Sequence, residues 1–255
     1  MITLSKLTKR YQPYGKPAVL DVDLTVDCGE FVALIGPSGC GKTTILSMIN
    51  RLIEPSSGVV AIDGTNIRQV DPVALRRGIG FVFQDVGLFP HLTIGENAAI
   101  TLKLIGRAKR EIRDRTREVL DLVRLPAASF QDRYPATLSG GQRQRAGLAR
   151  ALAAKPRIML MDEPFGALDP LIRDELAGDY RNLHDSLGLT TILVTHDMTE
   201  AILLADRIAV MKEGEVLQVA PPKELIANPV NDFVAQLIES PRRRANALAA
   251  VMRPQ

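Results

Sequence analysis

Gly36-Pro37-Ser38-Gly39-Cys40-Gly41-Lys42-Thr43 is the stretch that decides the fold. It has the form G-x-x-x-x-G-K-[ST]. That form wraps backbone N–H groups around a nucleotide's phosphates, with Lys42 reaching the β- and γ-phosphates and Thr43 facing Mg²⁺. The flanks supply the context such a match needs. Phe31 to Ile35 is an unbroken apolar run and predicts a buried strand. Thr44 to Leu52 predicts a helix whose positive N-terminal end points at the phosphate. By chance the pattern arises in about one chain of this length in a hundred, and strand plus helix make chance rarer still.

Outward from this loop, 255 residues are enough for one α/β domain with an inserted subdomain, or for two domains. Thirty-two Lys and Arg against 29 Asp and Glu leave a net charge of +3, too slight to argue for nucleic acid as a partner. The 46% hydrophobic content is that of a globular chain, yet no apolar run approaches the roughly 20 residues of a membrane-spanning helix. The first residues, Met1 to Lys6, lack the charged and apolar regions of a signal peptide, so the cytosol is expected. Cys28 and Cys40 have no metal-ligand spacing and are expected as reduced thiols.

Before the loop, residues 2 to 8 and 18 to 26 predict strands. Tyr11, between them, offers a flat apolar face to an adenine ring. Taken alone, an aromatic there is more often packing, and Tyr14 competes for the role. After the loop, Val59 to Ile62 predicts a strand with a tight turn at Asp63-Gly64. Ile79 to Phe83 predicts another that delivers Gln84, and ligands in open α/β sheets bind at such carboxyl ends. Thr93 to Lys155 is a block of helical character. Within it, Lys109 to Leu125 places Ile112, Thr116, Val119, Leu120 and Val123 on one face, with Pro126 closing the helix.

That block ends in Leu138-Ser139-Gly140-Gly141-Gln142. Ser139 and Gln142 predict a capping box, and the two glycines open the helix start to close approach by an anion. The plainer reading of these residues is a capped helix start with no further role. Ile158 to Asp162 predicts a strand ending in Asp162-Glu163. Adjacent strand residues point to opposite faces, so the two acids share a site only if the chain turns at once, which Pro164 and Gly166 allow. Asp162 then suits Mg²⁺ and Glu163 suits a water beside the γ-phosphate. Solvated loop acids are the equal alternative. The next helix carries Ile172, Leu176, Tyr180, Leu183 and Leu187 on one face and stops at Gly188. Thr190 to Thr195 predicts a strand delivering His196, and Asp197 with Glu200 predicts a second capping box. Strands at 207–211 and 216–220 predict a hairpin. Two short helices follow over 222–239, and then a basic tail begins at Arg242.

In this order and spacing the chain resembles the nucleotide-binding subunits of ABC transporters, from about residue 2 to 238. Gly36 to Thr43 resembles the Walker A motif, Gln84 the Q-loop and Leu138 to Gln142 the family signature. Ile158 to Glu163 resembles Walker B with its following glutamate, Ala167-Leu168-Asp169 the D-loop, His196 the switch histidine and Tyr11 the A-loop aromatic. The resemblance implies a P-loop NTPase fold of the α/β class. It has a mixed-sheet core (about 2–92 and 156–225) with an N-terminal antiparallel β subdomain, a helical subdomain (about 93–155) and a tail (239–255).

The implied cofactors are ATP and Mg²⁺. Lys42, Gln84, Glu163 and His196 would be catalytic. The nucleotide would be held by Tyr11, Gly36 to Thr44, Ser139 to Gln142 and Asp169. Thr43, Gln84 and Asp162 would hold the metal. In such subunits two copies pack head to tail, so Ser139 and Gly141 of one would close over the ATP held by Lys42 of the other. The implied partners are therefore a second copy, two transmembrane permease subunits on the cytoplasmic face of the membrane and, indirectly, a substrate-binding protein.

Asn50 to Gly58, with Gln84 to Thr93, resembles the ATPases of quaternary-amine importers for glycine betaine, carnitine and choline. Importers of polyamines or amino acids, and soluble ABC ATPases, are the competing readings. Many quaternary-amine relatives continue into a regulatory pair of cystathionine-β-synthase-type domains. This chain ends at Gln255, so sensing through that module is not expected of it.

Overall fold

The computed structural model describes residues 1–12, 14–239 and 243. The chain opens with the strands Ile2–Lys9 (β1), Val19–Val26 (β2) and Phe31–Ile35 (β3), then the helix Lys42–Ile49 (α1). There follow Ser57–Ile62 (β4), Thr65–Asn66 (β5), the helix Pro72–Arg77 (α2) and Ile79–Val82 (β6). Four helices come next: Ile94–Leu104 (α3), Lys109–Leu122 (α4), Ala127–Phe130 (α5) and Gly140–Leu152 (α6). The chain then runs through Ile158–Asp162 (β7), Pro170–Leu187 (α7), Thr190–Thr195 (β8) and Met198–Leu204 (α8). Arg207–Lys212 (β9), Glu215–Ala220 (β10) and Pro222–Ala227 (α9) complete the named elements.

Two sheets result. The first is antiparallel, in the order β2-β1-β4-β5. The second runs β10-β9-β3-β8-β7-β6 and is parallel from β9 to β6, with β10 added antiparallel at its edge. Every residue of β3, β7 and β8 is buried, the condition of a parallel strand covered on both faces. Their side chains alternate between two cores, as the pleat dictates. Phe31, Ala33 and Ile35 join Met159, Met161 and Leu193 in the core roofed by α3 to α8. Val32, Leu34, Leu160 and Ile192 join the core shared with α1 and the first sheet.

The carboxyl ends of β3, β6, β7 and β8 therefore leave the sheet on one edge. That edge receives Gly36, Gln84, the Asp162-Glu163 pair and His196.

Local departures from the sequence reading have physical causes. β6 stops at Val82, so Phe83 lies outside it and is 45% exposed, its ring 4.4 Å from that of Phe81. α4 ends at Leu122 rather than Leu125, because Arg124 takes a left-handed φ of 58° before Pro126 is reached. On α7, Leu187 is exposed at 46%. The buried position next to it on that face belongs to His184, whose ring bonds Thr191 Oγ1 and the Gly29 carbonyl. The second predicted capping box does not form. Asp197 caps the Thr199 amide at 2.7 Å, whereas Glu200 is buried and accepts from Thr195 Oγ1 at 2.6 Å. The expected basic tail falls outside the described residues, apart from 239 and 243.

Candidate nucleotide site

The phosphate loop is held by neighbours on two sides. A side-chain Cβ on Gly36 would come 2.2 Å from the Met211 carbonyl oxygen of β9. One on Gly41, at φ +105°, would come 2.3 Å from that of Ala18. Only glycine fits these two positions. Gly41 is also the N-cap of α1 and supplies no side chain to cap its first turn, so the helix start faces outward without a side-chain acceptor of its own. Lys42 is 5% exposed, and its Nζ donates to the carbonyls of Gly36 at 2.7 Å and Pro37 at 3.0 Å. Cys40 is buried, its Sγ 3.8 Å from that ammonium. A cleft of about 490 Å³ adjoins the loop, walled by Lys16, Ala18, Ser38, Gly39, Lys212 and Glu213 among others. Tyr11 and Tyr14 stand outside that wall, 63% and 103% exposed, and Lys9 Nζ lies 5.3 Å from the Tyr11 ring centre.

Across the sheet edge, Thr43 Oγ1 donates to Asp162 Oδ1 at 3.1 Å. Burial holds the Asp162 carboxyl above the ordinary carboxylate range. The Thr43 hydrogen bond opposes the shift, the charge of Glu163 adds to it and Lys42 opposes it. The turn that brings the second acid round lies at Glu163 itself, in the left-handed region at φ 44°, one residue earlier than Pro164 and Gly166 suggested. Its amide donates to the Val194 carbonyl at 2.9 Å and its carbonyl accepts from Gly166 N at 3.2 Å, which fixes this costly conformation. The Glu163 carboxylate thus turns toward His196 and Gln84. Its Oε2 is 3.0 Å from His196 Nδ1 and 3.5 Å from Gln84 Nε2.

A hydroxyl and a carboxylate oxygen converging beside the phosphate loop form a donor set for a hard cation. Mg²⁺ is ordinarily held by one or two such groups plus substrate phosphates. A bound cation would also favour the charged form of Asp162, against the effect of burial.

The signature start is elsewhere in the same chain. Ser139 caps α6: its Oγ accepts from Gln142 N at 3.3 Å, while Gln142 Oε1 accepts from Ser139 N at 3.0 Å. Gly140 and Gly141 pack on the D-loop helix, where a Cβ on Gly141 would meet Ile172 Cγ2 at 2.6 Å. Asp169 caps α7 through Ile172 N at 3.2 Å. Gly36 to Thr44, Asp162, Glu163, Gln84 and His196 gather at one edge; Ser139 to Gln142 and Asp169 gather at the start of α7 instead.

Sequence reading missed how Gln84 is supported. Arg150 of α6 donates to the carbonyls of Val86 and Gly87, each at 2.6 Å. Gly147 leaves room for Val86, whose Cγ1 would stand 2.5 Å from a Cβ there. A glycine inside a helical pattern, costing about 1 kcal/mol against alanine, was the available signal. Asn97, fully buried, likewise ties down the segment after Gln84. It donates to the carbonyls of Phe89, Leu92 and Thr93 and accepts from Phe89 N.

Comparison with known proteins follows the same lines. Residues 19–166 match the ABC transporter family. The chain is 52% identical over 242 residues to the glycine betaine/carnitine/choline transport ATP-binding protein OpuCA of Bacillus subtilis, covering 95% of this chain and 63% of that protein. It is 49% identical over 245 residues to the osmoprotectant import ATP-binding protein OsmV of Salmonella typhimurium, with 95% and 64% covered. The sulfate/thiosulfate import ATP-binding protein CysA of Mycobacterium tuberculosis is 48% identical over 238 residues, with 93% and 66% covered. The chain thus spans less than two thirds of the length of these relatives. Among solved structures, the dimeric post-hydrolysis state of the ATP-binding cassette MJ0796 bound to ADP and Pi superposes with a TM-score of 0.78 at 38% identity, covering 87% of this chain and 99% of that one.

Proposed function

This chain belongs to the ABC transporter family, and from that premise we propose that it is the ATP-hydrolysing subunit of an importer for quaternary-amine osmoprotectants. One observation carries the hydrolase reading. The phosphate loop, the Thr43–Asp162 pair and the Glu163 carboxylate with His196 and Gln84 beside it share one sheet edge. Hydrolysis at such an edge is mainly positioning and charge neutralisation. The amides of the loop and Lys42 hold the β- and γ-phosphates, and Tyr11 stacks on the base. Mg²⁺, held by Thr43, Asp162 and Gln84, would neutralise phosphate charge. Glu163 orients and deprotonates the attacking water, and His196 holds that carboxylate in place beside the γ-phosphate.

The second site, Ser139 to Gln142, packs against Leu168 and Ile172 rather than at the sheet edge that carries the phosphate loop. In our reading it closes over the nucleotide of a second copy, with Asp169 at the same interface, and the dimer spans residues 2–238 of each. The solved dimeric cassettes among its structural relatives support that arrangement. Residues 93–155 act as the helical subdomain, and Phe89, 42% exposed on the Asn97-braced loop, meets the transmembrane subunits at the cytoplasmic face. No described helix is long and apolar enough to cross a membrane. The cargo assignment rests on the names of OpuCA and OsmV. The sulfate/thiosulfate relative is nearly as similar, because this subunit never touches the solute.

The test is Glu163→Gln in the purified chain, scored by phosphate release and nucleotide binding. Turnover should fall by roughly 10²–10⁴ with ATP still bound, the loss typical of a removed general base. Near-normal hydrolysis would take Glu163 out of this role.

A further inference from the structure

We infer that Arg173 is a positioning residue for hydrolysis, setting His196 by tying the D-loop to the buried carboxylate behind it. This rests on the hydrolase reading above. Arg173 lies in the first turn of α7, and its Nη2 donates to the Leu168 carbonyl, inside the D-loop, at 3.0 Å. The same guanidinium turns two further edges toward the segment that follows His196. Nη1 is 3.7 Å from Asp197 Oδ2, and Nε is 3.9 Å from Glu200 Oε1. Nε is buried with no hydrogen-bond partner among the described residues, so its interaction with Glu200 is one of charge at ion-pair range.

Glu200 is the residue whose side chain departs from the expected cap. It is 8% exposed and accepts from Thr195 Oγ1 at 2.6 Å, and that same oxygen accepts from Asp197 N at 3.0 Å. Thr195 is the last residue of β8, and His196 follows it directly. A continuous set of contacts therefore runs from the Leu168 carbonyl through Arg173, Glu200 and Thr195 to the backbone of His196. The ring of His196 ends 3.0 Å from the Glu163 carboxylate.

A buried carboxylate needs a countercharge, and among the described residues Arg173 is the cation within ion-pair range of Glu200. Removing it would leave Glu200 unpaired close to Asp197 and would free the D-loop carbonyl. Lys42 and the loop amides would not be touched, because they lie between the end of β3 and the first turn of α1. The consequence is a loss in the chemical step with nucleotide binding spared. A lysine cannot replace the fork, since one ammonium does not span acceptors on three segments.

The experiment measures single-turnover and steady-state ATP hydrolysis by the full chain for wild type, Glu163→Gln, Arg173→Ala, His196→Ala and the Arg173→Ala/His196→Ala double variant. Binding of a fluorescent ATP analogue and melting temperature accompany each. Arg173→Ala should lower kcat by about 10- to 100-fold, the scale of an ångström misplacement, with KM changed less than about twofold. In the His196→Ala background the same change should cost nothing further, because a residue acting through the histidine has no effect once the ring is gone. Losses that multiply, or a fall in nucleotide affinity matching a fall in melting temperature, would overturn the inference. If Arg173→Ala does not fold, Glu200→Gln, which keeps the Thr195 contact, takes its place with the same two outcomes. A wild type no faster than Glu163→Gln would remove the hydrolase reading and this inference with it. A wild type disabled by Glu163→Gln, but with additive Arg173 and His196 losses, would remove the inference alone.

Discussion

Two helix starts in this molecule face anions in our reading, and they are built by opposite rules. The start of α1 lies behind Gly41, which has a left-handed backbone and offers no cap. The loop's glycines touch foreign carbonyls, the neighbouring Asp162 carboxyl is raised by burial, and Glu163 sits at a positive φ. The start of α6 obeys every local preference, with Ser139 and Gln142 satisfying each other's amides in a closed capping box. The first region keeps its local free-energy costs because the surrounding sheet over-determines it. It is therefore organised before any ligand arrives. The second spends its side-chain groups on itself. In our reading it would bind only as one half of an interface, when another copy presents a phosphate to it.

The most severe way to break this contrast is Gly41→Ala. A methyl 2.3 Å from the Ala18 carbonyl, on a backbone at φ +105°, should cost about 3 kcal/mol of stability and more than tenfold in ATP affinity. Urea midpoints and analogue titration report both, and a variant that keeps its affinity would show that the loop is not pre-set. Ser139→Ala should be milder in stability, about 1 kcal/mol for the lost cap, which is a few degrees of melting temperature for a chain of this size. Its ATP affinity as a single copy should stay level while turnover falls roughly tenfold, since the closing copy lacks its hydroxyl. Full turnover in that variant would dissolve the two-copy site.

The smallest effect sharpens the contrast through pH. The folded-state pKa of Asp162 is raised by burial, so the stability linked to its protonation is fully present below the unfolded value. That stability is lost as pH rises through the raised folded value. Asp162→Asn, which keeps an oxygen for Thr43, should therefore melt a little higher than wild type at neutral pH. The advantage should fade toward about pH 4, near the ordinary carboxylate pKa. A gain that is equal at both pH values would mean that burial of the charge is not its source.

What was legible in the sequence was whatever chemistry repeats locally. The phosphate loop, the apolar β3, β7 and β8, the Ser139 cap and the glycine stop at Gly188 follow from residue types at short spacing. Beyond the element ends, the misreadings fall where a side chain took a partner other than the expected one. Glu200 left the expected cap for Thr195 and Arg173, and His184 took the buried position next to Leu187 because it bonds Gly29 across 155 residues. Arg150 gripping the Gln84 loop is of the same kind, an arginine whose partners lie 63 and 64 residues away, with Gly147 in its helix as the one local hint.

By itself the sequence determined the phosphate-loop pattern from Gly36 to Thr43 and, in our reading, the atoms that would hold a nucleotide, because glycines, one lysine and one hydroxyl act over eight residues. Only the tertiary structure decided which groups share that edge. The parallel register brings Gln84, Asp162 and His196 together from strands far apart in the chain, and Arg173 comes to lie between the D-loop and the start of α8. The reason is range: backbone and capping preferences act over a few residues, whereas charge pairing and burial act across whatever the fold brings within a few ångströms.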